Sequence, residues 1–489
     1  METTDPYELT AEKAFDPPPT FRERCKYLGP GFILSASIVG SGELIATTYL
    51  GAQAGFILFW VVLASCLIKV AVQLEFGKHA IHTGETTMSS LNRLPGPRFG
   101  KANWSIWLWL AIMSLKMLQV GGIIGGVAIL LAKIGGPQEM WIVFLAVGVS
   151  LLVYRGYYQP IEKWSLIMIG LFTLFTIGSL ISLQWTSMAI HWKDIASGLS
   201  FSIPNQESLF VALAVFGITG VGGDEIMAYN YWLIEKGYAA NSGPREDTEA
   251  WNKRAKGWIN IMYMDALLAM VAYTVVTAVF YMLGAAVLHS QGLLPEKGEL
   301  IDVLARIYTD SLGSWAKGFF LVGAFVVLFS TLLAALAAWT RLFTDAFAQI
   351  GILDFKDIVQ RRRWIAICAW VIPAIWGACY LFFKAPTAMV LIGGAATTAI
   401  LLIVVFAAAI MRLRWLPDAL KPGRLYDVIL ALSMIAIATV GILGLVNAIK
   451  ENMPKEEVPA EETAMVPELT SPASTLAKAS HDSFRSSHP

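Results

Sequence analysis

Gly40-Ser41-Gly42-Glu43 and Gly220-Val221-Gly222-Gly223-Asp224-Glu225 interrupt two strongly apolar stretches, each long enough to cross a bilayer. Glycine loses more backbone entropy in a helix than any other residue, so clustered glycines mark where a spanning helix unwinds. A carboxylate at membrane depth is costly and usually functional. Matched interruptions in the two halves of a membrane chain point to a transporter's binding site, where unwound carbonyls and half-helix ends face the cargo.

The chain around these breaks is built for lipid. Of its 489 residues 56% are hydrophobic and 15% charged, against about 25% charged in soluble domains. The formal net charge is zero, so no global field favours nucleic acid. Seventeen Trp and fifteen Tyr suit two membrane interfaces. Cys25, Cys66, Cys368 and Cys379 have neither metal nor redox spacing, and three lie in apolar runs as small hydrophobes. Residues 1–27 are polar and the first apolar run is too long for a signal-peptide core, so no cleavable signal is expected.

A crossing needs about 20 apolar residues. Eleven candidates meet or approach that: roughly 28–54, 56–77, 104–133, 140–154, 162–184, 207–235, 258–288, 315–348, 364–383, 387–411 and 425–449, the fourth being short. Irregular lipid-facing backbone is forbidden, so an all-α integral membrane protein follows. With the N-terminus inside, cytoplasmic segments hold 23 Lys and Arg and the opposite loops 6, which sets that orientation. An odd count then places the C-terminus outside. Residues 450–489 read as a disordered polar tail. The matched breaks suggest a 5+5 inverted repeat, about 28–184 and 207–411, with 425–449 added and the transport domain spanning 28–449.

Several stretches resemble the Nramp metal-transporter family: Leu28-Gly29-Pro30-Gly31-Phe32, the run from Phe59-Trp60 through Gln73 to Thr83-Gly84, Asp265, Ala285-Ala286-Val287-Leu288-His289, Ser330-Thr331 and Pro373-Ala374. They are collinear over residues 28–412. The resemblance implies the LeuT-like 5+5 fold with discontinuous first and sixth helices, and a transport function. The site departs from the family pattern. Where the family's first helix has Asp-Pro-Gly-Asn, whose Asp and Asn bind metal, this chain has Gly40, Ser41, Gly42 and Glu43. The family's Met-Pro-His of helix six falls on Val221-Gly222-Gly223, or on Gly223-Asp224-Glu225 two residues on, and neither register supplies a thioether. An Asp and a Glu tied to proton movement in helix three are replaced by Lys116 and Gln119.

Glu43 and Asp224 are the expected metal ligands. Gly40, Ser41, Ile218, Gly220, Val221, Gly223 and Glu225 complete the expected binding site, with carbonyls freed near Gly40, Ile218 and Gly220. Glu43 also fits a plain reading as a first-turn acid at a positive helix end. Asp224 fits one as the N-cap of the second half-helix. Lys69 and Lys116 are intramembrane bases that must pair, with Glu43, Asp224 or Asp265 as partners. Helices one and three are neighbours in the LeuT-like fold, so Lys116 is expected on Glu43, as a built-in positive charge in place of a coupling ion. Gln119 and Asp265 join Lys116 as expected coupling or charge-pairing residues. Arg341 and Asp345, four apart, are expected to pair on one helix face. His79 and His82 share a face without a third ligand and read, with His289, as interfacial. Gly393-Gly394-Ala395-Ala396 is a close-packing pattern.

No phosphate loop, zinc-protease pattern or nucleophile elbow is visible, and no loop is long enough for a nucleotide domain. The chain therefore reads as a multi-pass cell-membrane protein that is not an enzyme and takes no cofactor. It is expected to move a small divalent cation by alternating access. Carboxylate, carbonyl and water are hard ligands, which favours Mg²⁺ or Mn²⁺. A carrier of a small organic solute such as an amino acid, and a receptor that does not transport, are the competing readings.

Overall fold

The computed structural model describes residues 5–40, 42–154, 158–202, 206–295 and 299–452. The first apolar stretch is split. Helix α1a (Pro30–Ile38) leads through a π turn (Gly42–Thr47) into α1b (Thr48–Ala54), and the two halves bend by 41°. Then come α2 (Phe59–Thr83), α3 (Trp104–Ala132), α4 (Gln138–Tyr154) and α5 (Tyr158–Ser182). The sixth stretch is also split, into α6a (Gln206–Ile218) and α6b (Gly223–Glu235). Helices α7 (Glu249–Leu283), α8 (Ala316–Gln349), α9 (Ile358–Phe383), α10 (Pro386–Ile410) and α11 (Arg424–Asn452) follow. Residues to Asn447 form one unit, and the end of α11 is what is described of a second, Ala448–Pro489.

Eight described helices are long and apolar enough to cross a membrane, nine if α1a and α1b count as one bent span. The expected count of eleven is not reached by length. Gln138–Tyr154 and Ile169–Trp185 are apolar but shorter. At 1.5 Å per residue, the 17 residues of α4 cover about 26 Å, just under the hydrocarbon thickness.

Both breaks lie where glycines were expected to unwind the helix, and local geometry explains why. At Gly40 a Cβ would sit 1.6 Å from Thr331 Oγ1 of α8, so only a bare backbone fits. In the sixth stretch the last helical bond of α6a is Thr219 N–H to Val215 O, and Gly220 then turns the chain at φ +60°. The two breaks meet, with Gly42 against the Ile218 carbonyl.

The small-residue pattern of α10 packs as expected. A Cβ on Gly393 would lie 2.2 Å from Gln119 Cβ of α3, and one on Gly394 2.5 Å from Ala214 O of α6a. Helix α3 runs along α10, and α2 packs on α7. An N-terminal segment crosses one end of the bundle, where Asp5 pairs with Arg361 at 2.7 Å and Tyr7 donates to Glu235 at 2.7 Å.

This packing makes a paired prediction. Gly217→Ala would place a methyl 2.2 Å from the Gly394 carbonyl oxygen, whereas Gly148 has nothing within 4 Å. Gly217→Ala should cost about 1–3 kcal/mol, seen as a lower melting temperature in detergent. Gly148→Ala should be neutral or slightly stabilising. Equal melting of the two variants would contradict the close approach of α6a and α10.

Candidate cation site between the helix breaks

A cavity of about 40 Å³ lies between the breaks, lined in part by Ser37, Lys116, Gln119, Ile218, Asp224 and Glu225. A hollow of about 610 Å³ between the N-terminal segment and the ends of α8 and α9, and an open groove of about 710 Å³ beside Arg362 and Trp370, are larger. Neither is framed by both breaks. The smaller cavity brings intramembrane charge together with unwound backbone, which makes it the candidate site.

Helix α6b supplies the acids at its positive end, where carboxylates are favoured. Lys116 of α3 donates to Asp224 Oδ1, and Trp339 Nε1 of α8 donates to Asp224 Oδ2 at 2.9 Å. Both members of the pair are 4% exposed. Glu225 Oε2 accepts the Gly222 N–H at 2.6 Å, and its Oε1 accepts from Ser37 Oγ of α1a at 2.9 Å. The residue that caps α6b is therefore Glu225, where Asp224 was expected. Its second oxygen ties α6b to α1a across the breaks.

Glu43 stands elsewhere. It is fully buried, Thr277 Oγ1 of α7 donates to its Oε1 at 2.9 Å, and its Oε2 has no partner among the described residues. It does not line the cavity, although its neighbour Gly42 does. The expected Lys116–Glu43 pair is thus corrected to Lys116–Asp224. The reason lies in packing: α3 runs along α10 and against α8, which brings Lys116 to α6b and Trp339, while the π turn aims Glu43 at α7. Ser41 lies outside the described residues. Gly220 passes over Cys66 of α2, Val221 is buried, and Gly223 packs on Ile400 of α10. Gln119 accepts from Thr397 Oγ1 at 3.4 Å.

Among the described residues Lys69 has no carboxylate within ion-pair distance. Its ammonium donates to the Phe216 carbonyl at 2.7 Å and to those of Gly217 and Thr219. It closes the negative end of α6a, where a cation is favoured. Asp265 does the converse for α1a, accepting the N–H groups of Gly29 at 2.8 Å and Gly31 at 2.6 Å and the Tyr229 hydroxyl at 3.1 Å. That is a helix-end role; its hydrogen bonds run to N–H and O–H donors, not to Lys116.

The expected Arg341–Asp345 pair also parts, whereas His79 and His82 do share a face, with ring centroids 5.3 Å apart. Arg341 binds Glu235 at 2.6 Å, while Asp345 accepts from Tyr231 at 2.6 Å. His79 meets Glu85 at 3.1 Å and His82 meets the Lys78 carbonyl at 2.7 Å. Burial opposes the charge of Glu85, but His79 and Arg93 hold its carboxyl down at about 2. Among the described residues no three His, Cys, Asp or Glu side chains form a metal-holding group. Trp339, Ser37 and Thr277 escaped the sequence reading. Only Ser37 had a signal, one turn before the first glycine.

If Asp265 is structural, Asp265→Asn should leave one of its donors facing an amide N–H₂. A loss of about 1–3 kcal/mol in thermal stability is expected, with uptake per folded molecule kept. Unchanged melting with lost pH dependence of uptake would instead make Asp265 a coupling residue.

Among known proteins, the chain is 25% identical over 280 residues to the divalent metal cation transporter MntH of Brucella suis, covering 56% of each. It spans little more than half that relative's length. It is 24% identical over 375 residues to MntH of Xanthomonas campestris, covering 75% of this chain and 77% of that one. Among solved structures it is similar to the Eremococcus coleocola manganese transporter in complex with an aromatic bis-isothiourea substituted compound. The TM-score is 0.63 at 15% identity, over 92% of this chain and 93% of that one. The fold is the LeuT-like one expected. The family profile described as natural resistance-associated macrophage protein-like, Nramp, matches residues 31–447, so this multi-pass membrane protein belongs to the Nramp family.

Proposed function

We propose that the chain is a secondary carrier that moves a divalent metal cation across the membrane by alternating access, with Asp224 and Glu225 as its principal ligands. The observation that carries this is the cavity between the breaks, where two carboxylates, the Ser37 hydroxyl and the Gln119 amide converge. Its volume of about 40 Å³ suits an ion with one or two waters, since a water needs roughly 10–15 Å³ on this measure. That size speaks against the competing organic solute. Family membership and relatives named for divalent metal cation transport support the same reading. Glu43 faces Thr277 in this conformation, so it is left out of the first ligand set.

Every donor proposed is a hard oxygen, so Mg²⁺ or Mn²⁺ is the preferred cargo and a soft ion gains nothing. Motion belongs to the breaks, where α1b and α6b each leave their first halves. The transport domain is assigned to residues 28–449, with repeats 28–184 and 207–411 and an added helix, 425–449. The bias of 23 basic residues to 6 supports a cytoplasmic N-terminus. An odd number of crossings would put the C-terminal tail outside.

Three outcomes follow. In proteoliposomes, Asp224→Asn and Glu225→Gln should each abolish Mn²⁺ uptake, while Glu43→Gln should still bind Mn²⁺; uptake surviving in both α6b variants would remove the site from α6b. Mg²⁺ should compete with Mn²⁺, and Cd²⁺ should show no preference; tight Cd²⁺ transport indifferent to Mg²⁺ would overturn the ligand assignment. A cysteine placed at Ser471 should react with an impermeant thiol reagent in intact cells; labelling only after lysis would reverse the tail's side.

A further inference from the structure

We propose that Lys116 is a tethered cation that holds the cargo's place on Asp224 and must leave it when the cargo binds, so that it sets the valence the site accepts. This rests on the divalent-cation reading above and adds a specificity-determining residue to it.

Two lysines lie at this depth, and they are held differently. Lys69 is fixed by the Phe216, Gly217 and Thr219 carbonyls and belongs to the end of α6a. Lys116 is held by a single carboxylate, Asp224, and lines the same cavity as that carboxylate. A second resting place is close by, since its ammonium lies 6.0 Å from the Trp339 ring centroid and a desolvated cation is attracted to an indole face. Trp339 Nε1 also holds the other oxygen of Asp224, so the carboxylate keeps its position when the ammonium moves away.

With Lys116 in place, the cavity holds one ammonium and two carboxylates, so Asp224 is neutralised and Glu225 is not matched by a second charge. A monovalent ion arriving at Asp224 offers the same charge as the ammonium already tethered there at high effective concentration. It has no electrostatic advantage to set against that competition. A divalent ion does, because it can engage Asp224 and Glu225 together. The same competition speeds release, since the ammonium returns as the cargo leaves. Lys116 thus excludes monovalent ions and limits how tightly the cargo is held.

The test is calorimetric titration of the purified full-length protein with Mn²⁺, with and without excess Na⁺, in wild type, Lys116→Met and Lys116→Arg. Lys116→Met should bind Mn²⁺ on the order of tenfold more tightly and become sensitive to Na⁺. Lys116→Arg keeps the charge and should retain wild-type resistance to Na⁺. Lys116→Gln, which retains an N–H donor toward Asp224, serves if Lys116→Met does not fold, with the same expected tightening. In Lys116→Ala, added ethylammonium should weaken Mn²⁺ binding back toward the wild-type value, which a merely structural lysine would not produce. Equal or weaker Mn²⁺ binding in the neutral variants, with wild type still binding, would overturn the tether and leave the carrier reading intact. Absence of Mn²⁺ binding in wild type and in every variant would overturn the carrier reading and the tether with it.

Discussion

Charge inside a bilayer has to be answered within a few ångströms, and in this protein three of the answers are made at helix ends. Lys69 takes the carbonyls that α6a leaves unpaired. Asp265 takes the N–H groups at the start of α1a. Glu225 takes the N–H of Gly222 and reaches back to Ser37. The breaks and the charges need each other. An unbroken sixth helix would give Lys69 no carbonyls, and without Lys69 the Phe216 and Thr219 carbonyls would share the Ser65 hydroxyl of α2 in place of an ammonium. Asp224 is held differently, by the Lys116 ammonium and an indole instead of backbone. That carboxylate lines the cavity.

Helix α6b links that cavity to one end of the bundle. Asp224 and Glu225 open it, and Glu235 closes it. Glu235 is gripped by Arg341 of α8 and by Tyr7 of the N-terminal segment, whose ring lies 4.7 Å from the Arg361 guanidinium. Charge therefore holds both ends of α6b, one at the cavity and one beside the N-terminal segment. The close glycine contacts of α10 with α3 and α6a form a tightly packed wall next to it.

Both breaks were legible from glycine clusters beside acids, because backbone entropy and desolvation act locally. The need for Lys116 to pair was legible too, from depth alone. Its partner was not, since the choice between Glu43 and Asp224 depends on how α3 lies along α10 and on where the π turn aims Glu43. Lys69 was expected on a carboxylate and found on carbonyls, because an unwound helix end competes as an anion. Arg341 and Asp345 stand four apart on one helix, yet each meets a residue of α6b, showing tertiary contact overriding spacing. Trp339 carried no signal, being one aromatic among many in an apolar run. Nine of the eleven spans are matched by described helices of crossing length, counting α1a and α1b as one, and α4 with its 17 residues falls just short.

The central claim is that the cargo sits on Asp224 and Glu225 in place of the Lys116 ammonium. A crystal of the full-length protein grown with Mn²⁺, measured at the manganese absorption edge, tests it most directly. One anomalous peak within bonding distance of both carboxylates, with the Lys116 ammonium drawn off Asp224, is the result predicted. A peak beside Glu43 and Thr277, or no peak in the membrane interior with Lys116 still on Asp224, would contradict it.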